Sequence, residues 1–154
     1  MTPPTIPSTQ LLHELVALRI PVEHIELLNA GLDVGLPSID WILKFGTYFA
    51  DIRPDYTDPS FICKQFVRLA AAEADLACLC AGWTVPHSFG EARGVLYQPG
   101  PRDLNNIPTS HAENIVRLDD GHWYLFEPQS CEDPTSITRY DPDSSLFVVT
   151  GVRV

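Results

Sequence analysis

Apolar residues in the first half of the chain recur at helical spacing. Within residues 10–19 they fall on one face of a helix, and the same spacing continues through 21–31 and 37–46. Each of the last two stretches starts at a proline and ends at a glycine, which is typical of helix boundaries. A fourth, alanine-rich stretch over 60–81 predicts a long central helix with Ser60 as its N-cap.

After Gly82 the pattern of apolar residues changes to that of β-strands. Helices that precede strands predict an α+β class rather than alternating α/β. We expect one domain, made of an extended arm at 1–8, a helical part at 9–81 and a sheet part at 82–154. The predicted strands cover residues 83–87, 91–98, 110–117, 122–128, 137–140 and 146–154.

The strands at 110–117 and 122–128 flank Asp119-Asp120-Gly121, a strong signal for a β-hairpin turn. A two-residue loop would put His111 and Glu127 on opposite faces. A three-residue loop, with Gly121 left-handed, would put Ile115 opposite Leu125, Glu113 opposite Glu127 and His111 opposite Gln129, and His111 and Glu127 would share a face. We expect this second register.

Charge and composition exclude several classes of partner. The formal net charge is −10, and the few basic residues are scattered, which argues against nucleic-acid binding. No apolar run reaches membrane-spanning length, so we expect no membrane partner. The N-terminus lacks the features of a signal peptide. We therefore expect a cytoplasmic protein whose four cysteines are free thiols.

Three residues have the chemistry of a thiol enzyme. Cys63 lies in the predicted first turn of the central helix, where the helix dipole favours a thiolate. His111 would act as its base, and Glu127 would orient the imidazole. The residues alone leave structural alternatives open: a buried thiol at Cys63, an exposed strand residue at His111 and a surface carboxylate at Glu127.

The spacing of these residues resembles that of small papain-like thiol domains of phage and bacterial proteins and of fungal lectin–protease chimeras. The resemblance covers about residues 56–129, and its most specific parts are His-Ala-x-Asn at 111–114 and Glu-Pro-Gln at 127–129. It implies a papain-like or transglutaminase-like fold with N-terminal helices packed on an antiparallel sheet. It also implies a cysteine protease or related thiol hydrolase with a Cys63–His111–Glu127 triad. The matching residues are Tyr56, Phe61, Cys63, Phe66, His111, Ala112, Asn114, Glu127, Pro128 and Gln129.

The chain departs from that family beside Cys63. Ile62, Lys64 and Gln65 stand where the family usually has acidic residues, some of which bind calcium. We therefore expect no cofactor, and calcium is not favoured. No upstream glutamine is evident for an oxyanion hole. The substrate, expected to be a peptide or amide, would contact Tyr56 and Gln129 from the motif and Trp123, which shares the His111 face in the chosen register.

Two alternatives to a peptidase or amidase stay open. One is a catalytically inactive member of the fold that serves as a binding or structural protein. The other is a divalent-metal site made of His111, Glu113 and Glu127. Zinc bound by the cysteines is not expected, because thiols two residues apart on one helix point to different sides. The sequence leaves the oligomeric state open.

Overall fold

The computed structural model describes residues 2–54, 62–99 and 106–154, and these fold around a six-stranded sheet. The strand order is β2-β8-β4-β5-β6-β7, and a separate two-stranded sheet pairs β1 with β3. The strands are β1 (Thr5–Pro7), β2 (Ile25–Glu26), β3 (Asp33–Gly35), β4 (Phe89–Leu96), β5 (Thr109–Arg117), β6 (Trp123–Phe126), β7 (Ile137–Arg139) and β8 (Phe147–Arg153).

Three helices cover this sheet: α1 (Ser8–Ala17), α2 (Ile39–Ile52) and α3 (Cys63–Cys80). The side chain of Ser38 caps α2 by accepting a hydrogen bond from the Trp41 N–H. Gly46 was expected to end this helix, but it lies inside it. A side chain at that position would come within 2.7 Å of the Cys131 carbonyl oxygen, so glycine permits a close contact there. No helix of the described residues is long and apolar enough to cross a membrane.

The helix expected over 21–31 is wrong. Pro21 is followed by a single 3₁₀ turn, and Ile25–Glu26 then pairs in parallel with β8. Leu28 continues this pairing through a backbone hydrogen bond to Val154. The sheet edge therefore supplies hydrogen-bond partners that outweigh a helical propensity of only a few tenths of a kcal/mol per residue, roughly.

The sheet and the N-terminal region also correct the expected fold class. An antiparallel sheet was predicted, but the parallel β2–β8 pair makes the sheet mixed. The helical part was expected to begin after an extended arm, yet β1 at Thr5–Pro7 pairs with β3 and three strands precede α2. The papain-like α+β architecture, with N-terminal helices packed on an antiparallel sheet, is therefore wrong.

The sheet buries both faces against helices. On one face, Val116 and Phe126 pack in a cluster with α2 and α3, and the side-chain amide of Asn114 donates to the Val67 carbonyl of α3. On the other face, Ile115 and Leu125 pack in a cluster with α1. Because side chains alternate along a strand, neighbouring residues of β5 belong to different layers. The expected packing of the Cys63 helix against β5 is confirmed.

Candidate functional site

The β5–β6 hairpin has the three-residue loop predicted from Asp119-Asp120-Gly121. Ile115 pairs with Leu125, and the Leu118 N–H donates to the His122 carbonyl across the loop at 3.0 Å. Gly121 has a φ of 93°, a conformation that favours glycine. The register is confirmed, and it places His111, Glu113 and Glu127 on one face of the sheet.

These three residues form a compact group, called here the His111 cluster. The Nε2 atom of His111 lies 2.8 Å from Oε2 of Glu127 and 3.7 Å from Oε1 of Glu113. The second oxygen of Glu127 accepts a hydrogen bond from the Gln129 N–H at 3.0 Å. The His111 ring also packs edge-on against Phe147, with ring centroids 5.6 Å apart. Both the imidazole and the Glu127 carboxylate are therefore held in orientation.

The surroundings of the cluster raise the pKa of two of its members, His111 and Glu113. The hydrogen bond to Glu127 raises the pKa of His111 despite the opposing effect of burial. Burial, followed by the charge of Glu127, raises the pKa of Glu113 to about 7. Near neutral pH the group can therefore hold or release protons, and it can both donate and accept hydrogen bonds.

A cleft of about 510 Å³ opens beside the cluster. It is larger than the hollow of about 380 Å³ beside His24 and Thr150. Ser136 lines the cleft and is 9 % exposed, and its hydroxyl has no hydrogen-bond partner among the described residues. The cleft is lined by His111, Glu113, Glu127, six serines and threonines from Ser130 to Ser145, Arg139 and the apolar side chains of Leu96, Leu146 and Phe147.

Cys63 belongs to the other layer of the molecule. It is the first residue of α3, and α3 packs on the β5 face that carries Ala112, Asn114 and Val116. His111 points away from that face. Among the described residues, the mutually close group of metal-ligating side chains contains His111, Glu113 and Glu127, and the Cys63 thiol is not a member. The structure thus brings together two residues of the predicted triad, and the assignment of Cys63 as a site residue stays a prediction.

The three residues expected to bind substrate have different outcomes. Trp123 shares the His111 face as predicted, but it is 5 % exposed, lies in the core under α1 and does not line the cleft. Gln129 holds Glu127 through its backbone, and its side-chain Nε2 is buried without a partner among the described residues. Tyr56 lies outside the described residues.

Sequence reasoning did not identify the wall of the cleft that β7, β8 and their connection provide. Ser136, Thr138 and Arg139 line the cleft from the strand next to β6 and the residue before it, and the Ser136 carbonyl accepts a hydrogen bond from the Glu127 N–H at 3.0 Å. The density of serine and threonine between 135 and 145 was a signal that this connection is a polar lining. Its position beside His111 depends on the strand order, which a single sequence does not reveal.

Comparisons with known proteins show similarity only at the level of the fold. No family model matches the chain, and no curated protein matches it in sequence. One similar structure is a complex of PSL1a with E64, with a TM-score of 0.65 and 12 % identity over 97 % of this chain. Another is a lectin from Polyporus squamosus bound to the epitope Neu5Aca2-6Galb1-4GlcNAc, with a TM-score of 0.63 and 13 % identity over 89 % of this chain. The chain spans about half the length of each, 50 % and 48 %.

These neighbours overturn the resemblance to papain-like thiol domains. One of these two structures is a lectin with a bound glycan epitope, and the assignment of this chain as a cysteine protease or thiol hydrolase is wrong. The expectation of a peptide or amide substrate is wrong for the same reason. The alternative function, a binding protein, agrees better with the neighbours.

Proposed function

We propose that this protein is a binding module that holds a neutral carbohydrate in the cleft beside the His111 cluster. The observation that carries the proposal is the composition of the cleft. Oriented charged groups, several hydroxyl groups and an apolar wall surround a space of about 510 Å³. Binding pockets for small molecules generally have this size and combine apolar surface with a few fixed polar groups.

The polar groups suit the hydroxyl groups of a sugar. The Glu127 carboxylate is fixed by His111 and by the Gln129 N–H, so it accepts further hydrogen bonds without first being ordered. Hydrogen bonds to a charged group are stronger than those between neutral groups. Arg139 supplies donors, and Ser130 and Thr138 add exposed hydroxyl-bearing side chains to the lining. The side chains of Leu96 and Leu146 offer apolar surface to the C–H face of a sugar ring.

The structural neighbours support a carbohydrate as the ligand, and electrostatics favours neutral over acidic sugars. The Polyporus squamosus lectin was solved with a sialylated epitope, but that lectin is about twice as long as this chain. Here Glu113 and Glu127 line the cleft together with His111 and Arg139, and the formal net charge of the whole chain is −10. Repulsion of the sialic acid carboxylate therefore favours neutral sugars, for which galactose and N-acetylglucosamine are the first candidates.

Isothermal titration calorimetry with galactose, N-acetyllactosamine and sialyl-N-acetyllactosamine tests the proposal. We expect the neutral sugars to bind more tightly than the sialylated one. Glu127→Gln should weaken binding about tenfold or more, because one hydrogen bond to a charged group is worth roughly 1.5–3 kcal/mol. Glu132→Gln is the matched control, because Glu132 is exposed and lies outside the cleft.

Two results would contradict the proposal. One is that none of these sugars binds to the folded protein. The other is that binding survives Glu127→Gln at the affinity of the Glu132→Gln control, which would place the sugar elsewhere on the molecule.

A further inference from the structure

We propose that Nε2 of His111 and the carboxylates of Glu113 and Glu127 form a binding site for a divalent transition-metal ion. The site uses the same cluster as the sugar proposal but does not depend on it. It differs from the expectation that the protein takes no cofactor. The thiols, which were weighed for zinc in the sequence, have no part in it.

The spacing of the three side chains suits a single ion. Zinc binds histidine nitrogen and carboxylate oxygen at about 2.0–2.2 Å, so two ligand atoms on one tetrahedral ion lie roughly 3.4 Å apart. The Nε2 atom of His111 lies 2.8 Å and 3.7 Å from its two carboxylate neighbours, on either side of that value. One ligand atom from each of the three residues lies within 4.8 Å of the others. Small side-chain movements would therefore bring all three onto one ion.

A second observation independently points to a ligand at this position. Ser136 lines the same cleft, is more than nine-tenths buried and has a hydroxyl without a hydrogen-bond partner among the described residues. Leaving a buried polar group unsatisfied costs about 1–3 kcal/mol, and a ligand that enters the wall of the cleft at Ser136 would offer that hydroxyl a partner. The cleft also leaves room for such ligands beyond the three protein atoms.

The surroundings of the cluster hold its ligands in place. The Gln129 N–H donates to one oxygen of Glu127, and Phe147 fixes the plane of the His111 ring. Such supporting contacts orient metal ligands in proteins. Two carboxylates lie in one partly buried group with a single imidazole, and a cation would relieve their repulsion.

The donor set selects the kind of metal. One imidazole nitrogen with two carboxylate oxygens suits zinc, cobalt or manganese, whereas calcium and magnesium prefer oxygen ligands alone. Zinc is the best first probe, because three protein ligands with one open position are common for it. Cobalt is the useful second probe, because its absorption spectrum reports which atoms bind it.

Calorimetric titration with zinc chloride, in the absence of sugar, tests the proposal directly. We expect one zinc ion per chain and at least a tenfold loss of affinity in each of His111→Gln, Glu113→Gln and Glu127→Gln. The matched controls are His13→Gln and Glu132→Gln, which change exposed residues outside the cleft and should bind like the unmodified chain. Circular dichroism verifies that each variant is folded.

Cobalt spectroscopy tests whether the metal ion binds to the cysteine thiols instead. We expect the d–d bands of a nitrogen and oxygen site without thiolate charge-transfer absorption. The proposal is overturned if the folded protein binds no zinc, if the three cluster variants bind it like the controls, or if cobalt shows thiolate ligation. Sugar binding is measured separately, so either proposal can fail alone.

Discussion

Two clusters of charged residues lie on the same face of the β5–β6 hairpin, at opposite ends. One contains Glu14, Arg117 and Trp123 and is called here the Arg117 cluster; the other is the His111 cluster. Each contains at least one carboxylate beside a nitrogen-containing side chain, and both are largely buried. They differ in how completely their charges and hydrogen bonds are satisfied, and that difference separates a structural ion pair from a candidate site.

The Arg117 cluster is complete. Arg117 donates from Nε and Nη2 to the two oxygens of Glu14, at 2.6 Å and 3.1 Å, and from Nη1 to the Leu118 carbonyl. The indole N–H of Trp123 adds a further bond to Glu14. Burial acts to raise the pKa of Glu14, but the bonds from Arg117 and the other donors outweigh it and the pKa is lowered. The Glu14 carboxylate thus faces the Arg117 guanidinium and accepts hydrogen bonds from three N–H groups of Arg117 and Trp123.

The His111 cluster is incomplete. Two carboxylates share one imidazole, the pKa of Glu113 is raised to about 7, and the wall of the adjoining cleft contains a buried Ser136 hydroxyl without a partner among the described residues. Perturbed titration next to a cavity is a general sign of a functional site. Burial of charged side chains is therefore not diagnostic of a binding site by itself, whereas an excess of unsatisfied charges and hydrogen-bonding groups beside a cleft is.

The largest expected effect is the loss of stability when the Arg117 cluster is broken. Arg117→Ala would leave Glu14 without its ion pair and lower the free energy of unfolding by about 3 kcal/mol. Arg19→Ala is the control, because Arg19 and Asp143 form an exposed pair worth less than about 1 kcal/mol. Urea unfolding at pH 7 measures both. Equal losses in the two variants would show that the Arg117 cluster contributes no more than a surface pair.

The two clusters should respond to pH with opposite signs. The raised pKa of Glu113 means that the folded state binds its proton more tightly, so stability falls as pH rises from about 4.5 to 7. Glu113→Gln should therefore stabilise the protein at pH 8. The rise of the Glu113 pKa to about 7 corresponds to a gain of up to about 3 kcal/mol in the free energy of unfolding. At pH 4 we expect no such gain. The lowered pKa of Glu14 means that the folded state favours its carboxylate form. The resulting stability is present at pH values above the ordinary pKa of glutamate and is lost on acidification. Glu14→Gln should therefore destabilise the protein at pH 8.

Urea unfolding of both glutamine variants at pH 4 and pH 8 checks these signs. The two substitutions are chemically identical, and both lie on the side of the sheet that α1 covers. Each therefore serves as the control for the other. If Glu113→Gln destabilised the protein at pH 8, the carboxylate would be satisfied in the folded state and the contrast between the clusters would not hold.

The smallest expected effect is on the titration of one imidazole. The hydrogen bond that His111 donates to the Glu127 carboxylate is the main reason that the pKa of His111 is raised, so Glu127→Gln should lower that pKa. NMR titration of the histidine side chains measures this change in the pKa of His111. An unchanged pKa of His111 would mean that the 2.8 Å contact does not persist in solution.

The parts of the fold that were predictable are those fixed by nearby residues. The turn at Asp119-Asp120-Gly121 set the hairpin register, and the register put His111 and Glu127 on one face. The alanine-rich pattern predicted the helix that became α3. In contrast, the local pattern around Ile25–Glu26 predicted a helix. The strand that it pairs with, β8, lies more than 120 residues later in the chain, so nearby residues did not reveal the pairing.

At the site, too, the sequence pattern does not show how distant elements pack. The motif around Cys63, His111 and Glu127 gives their order but not the face of the sheet on which the helix packs. Ala112 and Asn114 face α3, and their neighbours therefore face away from it. Likewise, Trp123 was predicted on the correct face, but sequence pattern did not show that α1 covers it. Long-range packing decided each of these outcomes.

The most direct test of the central claim is an NMR titration of the ¹⁵N-labelled protein with N-acetyllactosamine. The claim is that the incomplete cluster binds a ligand and the complete cluster does not. We predict that the amide resonances of His111, Gln129 and Thr138 shift with increasing sugar, while those of Glu14, Arg117 and Trp123 stay in place. Shifts confined to the Arg117 end of the hairpin, or no shifts at all, would contradict the account.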